Sequence, residues 1–311
     1  SVNDLLQYWE SDCATRVILL YVESFGNPRR FAQIARRVSR NKPIVALKAG
    51  RTSSGKRAAG SHTAALAAND VAVDALFQQT GILRAETLED MFGLALALAE
   101  QPLPKGKRVG IVTNAGGPAI LCADACEAAG LEVPELSQAT ITRLSPFLPS
   151  SASLRNPVDL IASASPEQYH QAIDILLTSD DIDALIVLYI AVTSTDVEPI
   201  AKGVIAGIAT ARAAHTIKKP VYVGWMVESD RERRLSLPTE TIPTFGLPEL
   251  PARVLGTIAG YVQWRDRPMG MVPDFDDLDL PAVHTICRNV LTTRGGGWLT
   301  ASETRAVLAA M

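Results

Sequence analysis

The sequence contains few cysteines, and none of them stand at a spacing that holds a metal. Four cysteines occur in 311 residues, and they form neither a Cys-x-x-Cys pair nor a zinc-binding series. Cys122 and Cys126 are four residues apart in an apolar, helix-like pattern, which favours small core residues over ligands. No metal site is predicted in the chain, and the expected location is the reducing cytoplasm.

The chain also lacks an excess of basic charge and any apolar run long enough to span a membrane. Its formal net charge is −3, whereas dedicated nucleic-acid-binding domains usually carry a basic excess. No apolar run approaches the roughly 18 residues of a spanning helix, and the polar, acidic first ten residues do not resemble a secretory signal. The sequence therefore predicts no nucleic-acid or membrane partner, which leaves small molecules and other protein domains.

Aromatic residues are scarce as well, at 5%, although hydrophobic residues make up 47% of the chain. Short apolar runs such as Val17–Val22 and Ala184–Ile190 are typical of parallel strands covered on both faces. Segments with helical spacing separate these runs. The alternation predicts an α/β protein with two doubly wound parallel sheets, the first of about three strands.

Two segments rich in proline, glycine and charge divide this pattern. They lie at 101–108 and 269–281, so the predicted domains are 1–104 and 105–267, with a linker and helices over 268–311. The chain opens on a helix with no strand before it and stops within another helical pattern, so we expect it to be part of a longer protein. The smaller elements predicted are a strand at Gly130–Val133, a helix at Gln138–Phe147 and a capping box from Thr300 to Glu303.

The most informative stretch runs from Lys48 to Leu66, between a predicted strand and a helical segment. Its small residues let the backbone approach an anion closely, and its cationic side chains neutralise one. A helix that begins near His62 adds N–H groups and the positive end of its dipole. His62 is predicted to be a phosphate ligand or a nucleophile that takes up a phosphoryl group. The predicted phosphate-binding residues of this stretch are Lys48, Arg51, Lys56, Arg57, Ser61 and Thr63. The alternative is a solvated strand–helix loop that contains a histidine.

Two further turns follow predicted strands. Glu23 ends the first strand, where its carboxylate is positioned to fix the tautomer of His62 and make the other ring nitrogen more nucleophilic. Asn114-Ala-Gly-Gly117 begins a helix and is predicted to bind an anion through Asn114, Gly116 and Gly117. The alternatives are a solvated strand end and a plain tight turn. Because strand carboxyl ends share one edge of a sheet, we expect these turns and the His62 loop to line one crevice.

Polar loops of the second predicted domain are candidates to bind a small carboxylate or acyl group. They contain Asn156 and Asp159 in the first loop, and Thr193 and Ser194 in the second. The alternative is that these side chains only cap loops and Asx turns.

Five motifs recur in order over roughly residues 15–265. They are Leu20-Tyr-Val-Glu23, Lys48-Ala-Gly-Arg51, Gly60-Ser-His-Thr63, Thr113-Asn-Ala-Gly-Gly117 and Asn156-Pro-Val-Asp159. Together they resemble the NDP-forming acyl-CoA synthetases, the superfamily that includes succinyl-CoA synthetase. The resemblance implies two flavodoxin-like domains, and a histidine, here His62, that takes phosphate from an acyl phosphate and passes it to a nucleoside diphosphate. It implies that Glu23 supports this histidine.

The resemblance also implies substrates and partner domains. The family uses CoA, ATP or ADP, phosphate and Mg2+, with the nucleotide and Mg2+ expected mainly on an ATP-grasp domain. Neither that domain nor the family's CoA-binding domain is recognisable here, so both are expected as partner domains or subunits. The N-terminal detail is most similar to proteins that join this module to an acetyltransferase domain. A homo-oligomer is left open.

One departure from the family pattern leaves a second function as an alternative. Ala64 and Ala68 stand where the family usually has glycine after Ser-His-Thr. Each added methyl group is expected either to narrow the approach of a phosphate or to favour a tighter helix start. The retained His62 favours an enzyme module. The alternative is a non-catalytic module that senses an acyl-CoA or nucleotide and regulates an attached acetyltransferase.

Overall fold

The computed structural model describes residues 2–50, 70–191, 197–214, 219–227, 235–268, 270 and 278–311. The chain divides into two compact units, Ser1–Asp266 and Arg267–Met311. No helix in the described ranges combines the length and the apolar character needed to cross a membrane.

The first half of unit one contains a three-stranded parallel sheet in the order β1-β2-β3. The strands are β1 (Ile18–Val22), β2 (Ile44–Lys48) and β3 (Leu83–Ala85), and the helices are α1 (Val2–Ser11), α2 (Pro28–Val38), α3 (Asp70–Thr80) and α4 (Leu88–Glu100). Buried residues of α1, α2 and α3 form one core cluster with one face of the sheet, while α4 packs with the other face. The prediction of a parallel sheet of about three strands is confirmed.

Side chains define where two of these helices begin. Asn27 caps α2 by accepting a hydrogen bond from the backbone N–H of Arg30, and Pro28 occupies the first helical turn, where its missing N–H is not needed. Thr87 and Asp90 form a reciprocal capping box at the start of α4. Thr87 is two residues beyond the end of β3 and Asn27 five beyond the end of β1, so both caps lie in turns at the carboxyl edge of the sheet.

The second half of unit one contains a five-stranded parallel sheet in the order β10-β7-β6-β4-β5 and an antiparallel hairpin of β8 and β9. The strands are β4 (Val109–Thr113), β5 (Val158–Asp159), β6 (Ala184–Ile190), β7 (Val221–Met226), β8 (Leu235–Leu237), β9 (Glu240–Ile242) and β10 (Thr244–Phe245). The helices are α5 (Gly116–Ala128), α6 (Gln138–Leu144), α7 (Pro166–Thr178), α8 (Glu198–Ala214) and α9 (Glu249–Asp266).

Two predicted elements of this half differ from the structure. The strand expected at Gly130–Val133 is a single bridge between Glu132 and Arg108, because Pro134 has no N–H to continue the ladder. The helix expected over Gln138–Phe147 ends at Leu144. Its cap, Ser145, donates its backbone N–H to Ile141.

The two halves share one of the three hydrophobic clusters of unit one. One cluster joins Val45 and Leu94 of the first half with Ile186 and Leu255 of the second, and it includes the buried Cys122 and Cys126, as predicted for core residues. Within this core α4 and α9 lie between the two sheets, because each contributes buried side chains to both halves. Residues 2–266 are therefore packed as one body in their described parts.

Contacts at the end of α9 extend the packing between the two halves of unit one. The Tyr261 hydroxyl donates to the Ser39 carbonyl oxygen at 2.7 Å, and the Arg40 guanidinium lies 4.9 Å from the centre of the Trp264 ring. Gly81 has a φ of +72°, and a Cβ there would lie 2.2 Å from the Trp264 ring. Glycine is therefore required at 81 for both conformation and space.

Unit two is a pair of helices, α10 (Leu280–Arg294) and α11 (Ala301–Ala309). Gly295 ends α10 with a φ of +68°. Thr300 and Glu303 cap α11 reciprocally, which confirms the predicted capping box.

The Arg108–Asp183 ion pair gives stability a pH dependence. The Asp183 carboxylate accepts hydrogen bonds from the backbone N–H, Nε and Nη2 of Arg108 at 3.1, 3.1 and 2.8 Å. Burial alone would raise the pKa of Asp183, but these hydrogen bonds and the Arg108 charge outweigh burial and lower it. The pKa of Asp183 is therefore lower in the folded than in the unfolded chain. The stability that the ion pair contributes is fully present above the unfolded pKa and is lost as the pH falls through the folded pKa.

We therefore expect Asp183→Asn to be less stable than the wild type at neutral pH, and the two to converge as the pH falls below about 4. Urea unfolding at several pH values measures the difference. Asp174→Asn on α7, which removes a carboxylate without a hydrogen-bond partner among the described residues, controls for net charge. A difference between wild type and Asp183→Asn that is constant with pH would contradict the assignment.

Candidate functional site

The first candidate site lies at the carboxyl edge of the three-stranded sheet. Val22 of β1 is in register with Lys48 of β2, and the Ala49 N–H donates to the Val22 carbonyl oxygen at 3.1 Å. The exposed Glu23 therefore lies beside the start of the segment that follows β2. Lys48 is buried, and its ammonium group donates to the Ala49 carbonyl oxygen. Arg51, Lys56, Arg57, Ser61, His62 and Thr63 lie outside the described residues, so their predicted roles stay predictions.

The second candidate site is the N-terminus of α5, directly after β4. Ala115 occupies the N-cap position and supplies no side-chain cap. The N–H groups of Gly116 and Gly117 have no acceptor in the described part of the chain, and Pro118 has no N–H. A Cβ at Gly117 would meet nothing within 4 Å. Two exposed N–H groups at a helix start with open space form an arrangement that fits an anion.

Two polar side chains hold this turn in place. Asn114 is 3% exposed, and its amide donates to the Ile190 carbonyl oxygen at 2.9 Å and accepts from the Ile190 N–H at 3.0 Å. The Thr113 hydroxyl donates to the Ala115 carbonyl oxygen and accepts from the Ala115 N–H, both at 3.1 Å. The Asn114 side chain thus links the end of β4 to the end of β6 by hydrogen bonds. The N–H groups of Gly116 and Gly117 remain exposed to solvent.

Asp159 lies next to the same helix start. It is in register with Thr113, and its Oδ2 atom is 3.4 Å from the position of a Cβ at Gly116. Its Oδ1 atom accepts from the Ile161 N–H at 2.9 Å. The structure therefore places the Asp159 carboxylate beside Gly116, at the start of α5.

Ile161 was missed by sequence reasoning. Its φ is +67°, in the left-handed region that a β-branched residue adopts only under strain, at a typical cost of about 1–3 kcal/mol. The apolar Leu160-Ile161 pair reads as the end of a strand, and no residue type in it signals a positive φ. Strain of this kind often accompanies function.

The Asn156 side chain is hydrogen-bonded to backbone groups of β4 and of Pro134. Its Oδ1 atom accepts from the Ile111 N–H at 2.9 Å, and its Nδ2 atom donates to the carbonyl oxygens of Val109 and Pro134 at 2.8 and 3.0 Å. The Asn156 amide thereby pairs with backbone groups of Val109 and Ile111 in β4, in the place of a neighbouring strand. Substrate binding by Asn156 stays a prediction, and Thr193 and Ser194 lie outside the described residues.

The expectation that the Glu23 and Asn114 turns share one sheet edge is wrong, while the His62 loop lies outside the described residues. Glu23 follows β1 and Lys48 ends β2 of the three-stranded sheet, whereas Asn114 follows β4 and Asp159 ends β5 of the five-stranded sheet. The predicted domain boundary at 104 already assigned these strands to two sheets, whereas a shared edge requires a single sheet.

Profiles of two protein families match the chain. The succinyl-CoA ligase-like flavodoxin domain matches residues 1–98, and the ligase-CoA domain matches residues 109–266. Together they cover most of the chain, and they bear out the fold class that the sequence predicts.

Two individual proteins are also similar in sequence to this chain. The chain is 39% identical over 248 residues to the alpha subunit of ADP-forming acetate–CoA ligase II from Pyrococcus furiosus, which is 79% of this chain and 53% of that subunit. It is 35% identical over 185 residues to the ADP-forming 4-hydroxybutyrate–CoA ligase from Nitrosopumilus maritimus, covering 59% of this chain and 26% of that protein.

A solved structure extends the likeness to three dimensions. It is dinucleotide-forming acetyl-coenzyme A synthetase 1 from Candidatus Korarchaeum cryptofilum in complex with phosphate and ADP. The TM-score is 0.74 at 32% identity, covering 85% of this chain and 57% of that one. The chain thus spans about half the length, or less, of these relatives.

Proposed function

The chain belongs to the family of ADP-forming acyl-CoA synthetases, and we propose that it forms the phosphoryl-relay part of such an enzyme. In this proposal a phosphoryl group passes from an acyl phosphate to His62 and then to ADP. The observation that carries it is the register of β1 and β2, which sets Glu23 beside the start of the segment that contains His62.

The transfer to His62 is a nucleophilic displacement. A ring nitrogen of neutral His62 attacks the phosphorus atom, the N–P bond forms, and the bond from phosphorus to the acyl oxygen breaks as the carboxylate leaves. Glu23 accepts a hydrogen bond from the other ring nitrogen and stabilises the positive charge that develops on the ring. In this scheme the phosphate is neutralised by Lys48, Arg51, Lys56 and Arg57 and is hydrogen-bonded by Ser61 and Thr63.

The anion site at α5 serves the acyl half of the reaction in this scheme. A phosphate oxygen attacks the carbonyl carbon of an acyl-CoA, the C–S bond breaks, and CoA leaves as a thiolate that takes up a proton. The Gly116 and Gly117 N–H groups suit the phosphate by geometry and dipole. Asp159 at the edge of the site, together with Thr193 and Ser194, is assigned to the acyl group.

The remaining partners belong to the same proposal. CoA-binding and ATP-grasp domains or subunits would supply the CoA and nucleotide sites, with Mg2+ on the latter. A cytoplasmic location, an attached acetyltransferase domain and a homo-oligomer stay predictions, as do the domain boundaries at 104 and 267.

Phosphorylation by acetyl phosphate tests the relay on the chain itself. We expect 32P-labelled acetyl phosphate to give an acid-labile, base-stable label on wild-type protein, and His62→Ala to abolish it. Glu23→Gln should slow labelling roughly 100-fold, because the ring loses its orienting carboxylate. Labelling rates at fixed acetyl phosphate concentration provide the measurement.

His170→Ala is the matched control. His170 lies on α7, where its Nε2 atom is 3.0 Å from the Thr210 hydroxyl, so its loss should leave the label unchanged. No label on the wild type would contradict the relay. An unlabelled wild type that still binds acyl-CoA or nucleotide would favour the sensing module instead.

A further inference from the structure

A cavity of about 500 Å³ lies between the two halves of unit one. The end of β3 and the start of α4 form one side of this α4–α9 cavity, and α9 forms the other. Its polar lining residues are Arg84, Glu86, Thr87, Asp90, Arg253 and Thr257. An apolar cavity of about 150 Å³ already holds benzene. The α4–α9 cavity therefore has room for a molecule that contains a ring or a chain of several carbons.

The buried part of the lining is apolar. Leu94 of α4 and Val254 of α9 are 2% and 3% exposed and belong to the hydrophobic cluster that the two halves share. Gly256 and Ala129 complete this part of the lining, and a Cβ at Gly256 would lie 2.5 Å from the Ala129 Cβ. A ligand that fills the cavity therefore needs an apolar body.

One of the two arginines that line the cavity is committed to three carboxylates. The Nε atom of Arg84 donates to Glu86 at 2.9 Å, and its Nη1 atom donates to Asp74 at 3.4 Å. Its Nη2 atom donates to both carboxylate oxygens of Asp70, at 2.8 and 3.0 Å. All three nitrogens of Arg84 thus donate to acidic side chains of the protein.

The other arginine, Arg253, has donors left for a ligand. Its Nη2 atom donates to Asp90 Oδ1, and its guanidinium donates to no other group in the described ranges. Asp90 has further partners, because its Oδ2 atom accepts from the backbone N–H and the hydroxyl of Thr87 at 3.1 and 2.8 Å. The Nε and Nη1 atoms of Arg253, whose side chain is 54% exposed, can therefore bind a carboxylate.

The charges around the cavity favour a ligand with a single negative charge. Among the residues that the structure describes, two guanidinium groups are set against four carboxylates, which are Asp70, Asp74, Glu86 and Asp90. A phosphate with two or three charges would be repelled by this acidic excess, whereas one carboxylate matches the open side of Arg253. A nucleotide or CoA is disfavoured on the same ground.

We propose that the α4–α9 cavity binds a monocarboxylic acid with an apolar body, such as an aryl or medium-chain alkanoic acid. Its carboxylate lies on Arg253, and its body packs against Leu94 and Val254. The cavity reaches Ala129, at the other end of α5 from Gly116. About 20 Å of helix therefore separates this site from the anion site at the start of α5, and the inference does not depend on the phosphoryl relay.

Four probes test the charge and the size of the ligand. They are phenylacetate, phenylacetamide, phenyl phosphate and acetate, each titrated calorimetrically into the full chain. We expect phenylacetate to bind with a Kd of about 1 mM or below. The other three should bind at least about tenfold more weakly, because the amide lacks the charge, the phosphate carries a second charge and acetate lacks the apolar body.

Two variants locate the binding. Arg253→Gln removes the partner of the carboxylate and should weaken phenylacetate binding by about tenfold or more. Thr257→Phe fills the cavity from a half-buried position on α9 and should abolish binding, although Arg253 and Asp90 are kept. Arg37→Gln is the matched control and should bind as the wild type does. Arg37 is likewise paired with a carboxylate, that of Glu10, and its side chain is 55% exposed.

The inference is overturned if the wild type does not bind phenylacetate, or if it binds phenylacetamide or phenyl phosphate as tightly. Undiminished binding to both Arg253→Gln and Thr257→Phe would place the acid elsewhere and would also overturn it. Circular dichroism checks that each variant folds, and Arg253→Gln decides the outcome if Thr257→Phe does not. His62→Ala should bind phenylacetate as the wild type does, so failure of the relay and failure of this site are distinguishable.

Discussion

Removing one partner of the Arg212–Glu240 ion pair is expected to lower the free energy of unfolding by about 3–5 kcal/mol. The pair joins α8 to β9 with an Nε–Oε1 distance of 2.8 Å, and the two side chains are only 10% and 8% exposed. A charge left at that depth has lost its hydration and no longer has an opposite charge beside it. Urea unfolding of Arg212→Met and Glu240→Gln measures the loss.

The loss should be large because the pair belongs to a wider network. The Gln101 amide donates to Glu240 Oε2 and to the Thr241 carbonyl oxygen, both at 3.0 Å. Its oxygen accepts from the Val221 N–H at 3.0 Å. The network thus connects the end of α4, the first residue of β7 and the hairpin of β8 and β9, and a broken pair disturbs all of them.

An exposed ion pair serves as the control. Arg30 and Asp4 are 3.0 Å apart with side chains 54% and 58% exposed, so Arg30→Gln should lower stability by about 1 kcal/mol or less. The double variant Arg212→Met with Glu240→Met leaves no buried charge unpaired and should lose less than the two single variants combined. An Arg212→Met variant no less stable than Arg30→Gln would refute the expectation.

Gly203→Ala is expected to lower the free energy of unfolding by about 3 kcal/mol, the upper part of the usual range for overpacking. Gly203 lies where α8 crosses α7, and a Cβ there would be 2.3 Å from the carbonyl oxygen of Pro166. At Gly207, one turn further, an added Cβ would lie 2.6 Å from the His170 carbonyl oxygen. These neighbours are backbone atoms, which cannot turn aside as a side chain can, so the helices must separate. Thermal unfolding measures the effect.

Gly260→Ala is the matched substitution for this test. Gly260 is also within a helix, α9, but a Cβ there would meet nothing within 4 Å. Alanine is the better helix former, so this variant should gain about 0.5–1 kcal/mol. If both variants moved stability in the same direction, close helix contact at Gly203 could not be the cause.

The sequence predicted the elements that local pattern determines. Apolar runs marked β1, β2, β4, β6 and β7, because a strand covered on both faces needs continuous apolar residues. Turn chemistry marked the start of α11, where Thr300 and Glu303 act over three residues. Motif order predicted the family, since the residues of each motif are close together in the chain.

Features that depend on distant residues were not predicted. The three strand-like bonds of Asn156 reach β4 and Pro134, and nothing near Asn156 in the sequence signals that partner. Arg212 and Glu240 are 28 residues apart and in different elements, so each alone reads as a surface charge. The packing of α4 and α9 between the two predicted sheets likewise depends on residues far apart in the sequence, which periodicity does not encode.

The core shared by the two halves changes what the connecting segment at 101–108 does. A segment between separate cores acts as a hinge, but here α4 and α9 bury their side chains in one cluster. The two sheets should therefore lose their structure in a single cooperative step. Proteolytic cleavage within this segment should leave two polypeptides that stay associated through the shared hydrophobic cluster, as two subunits do.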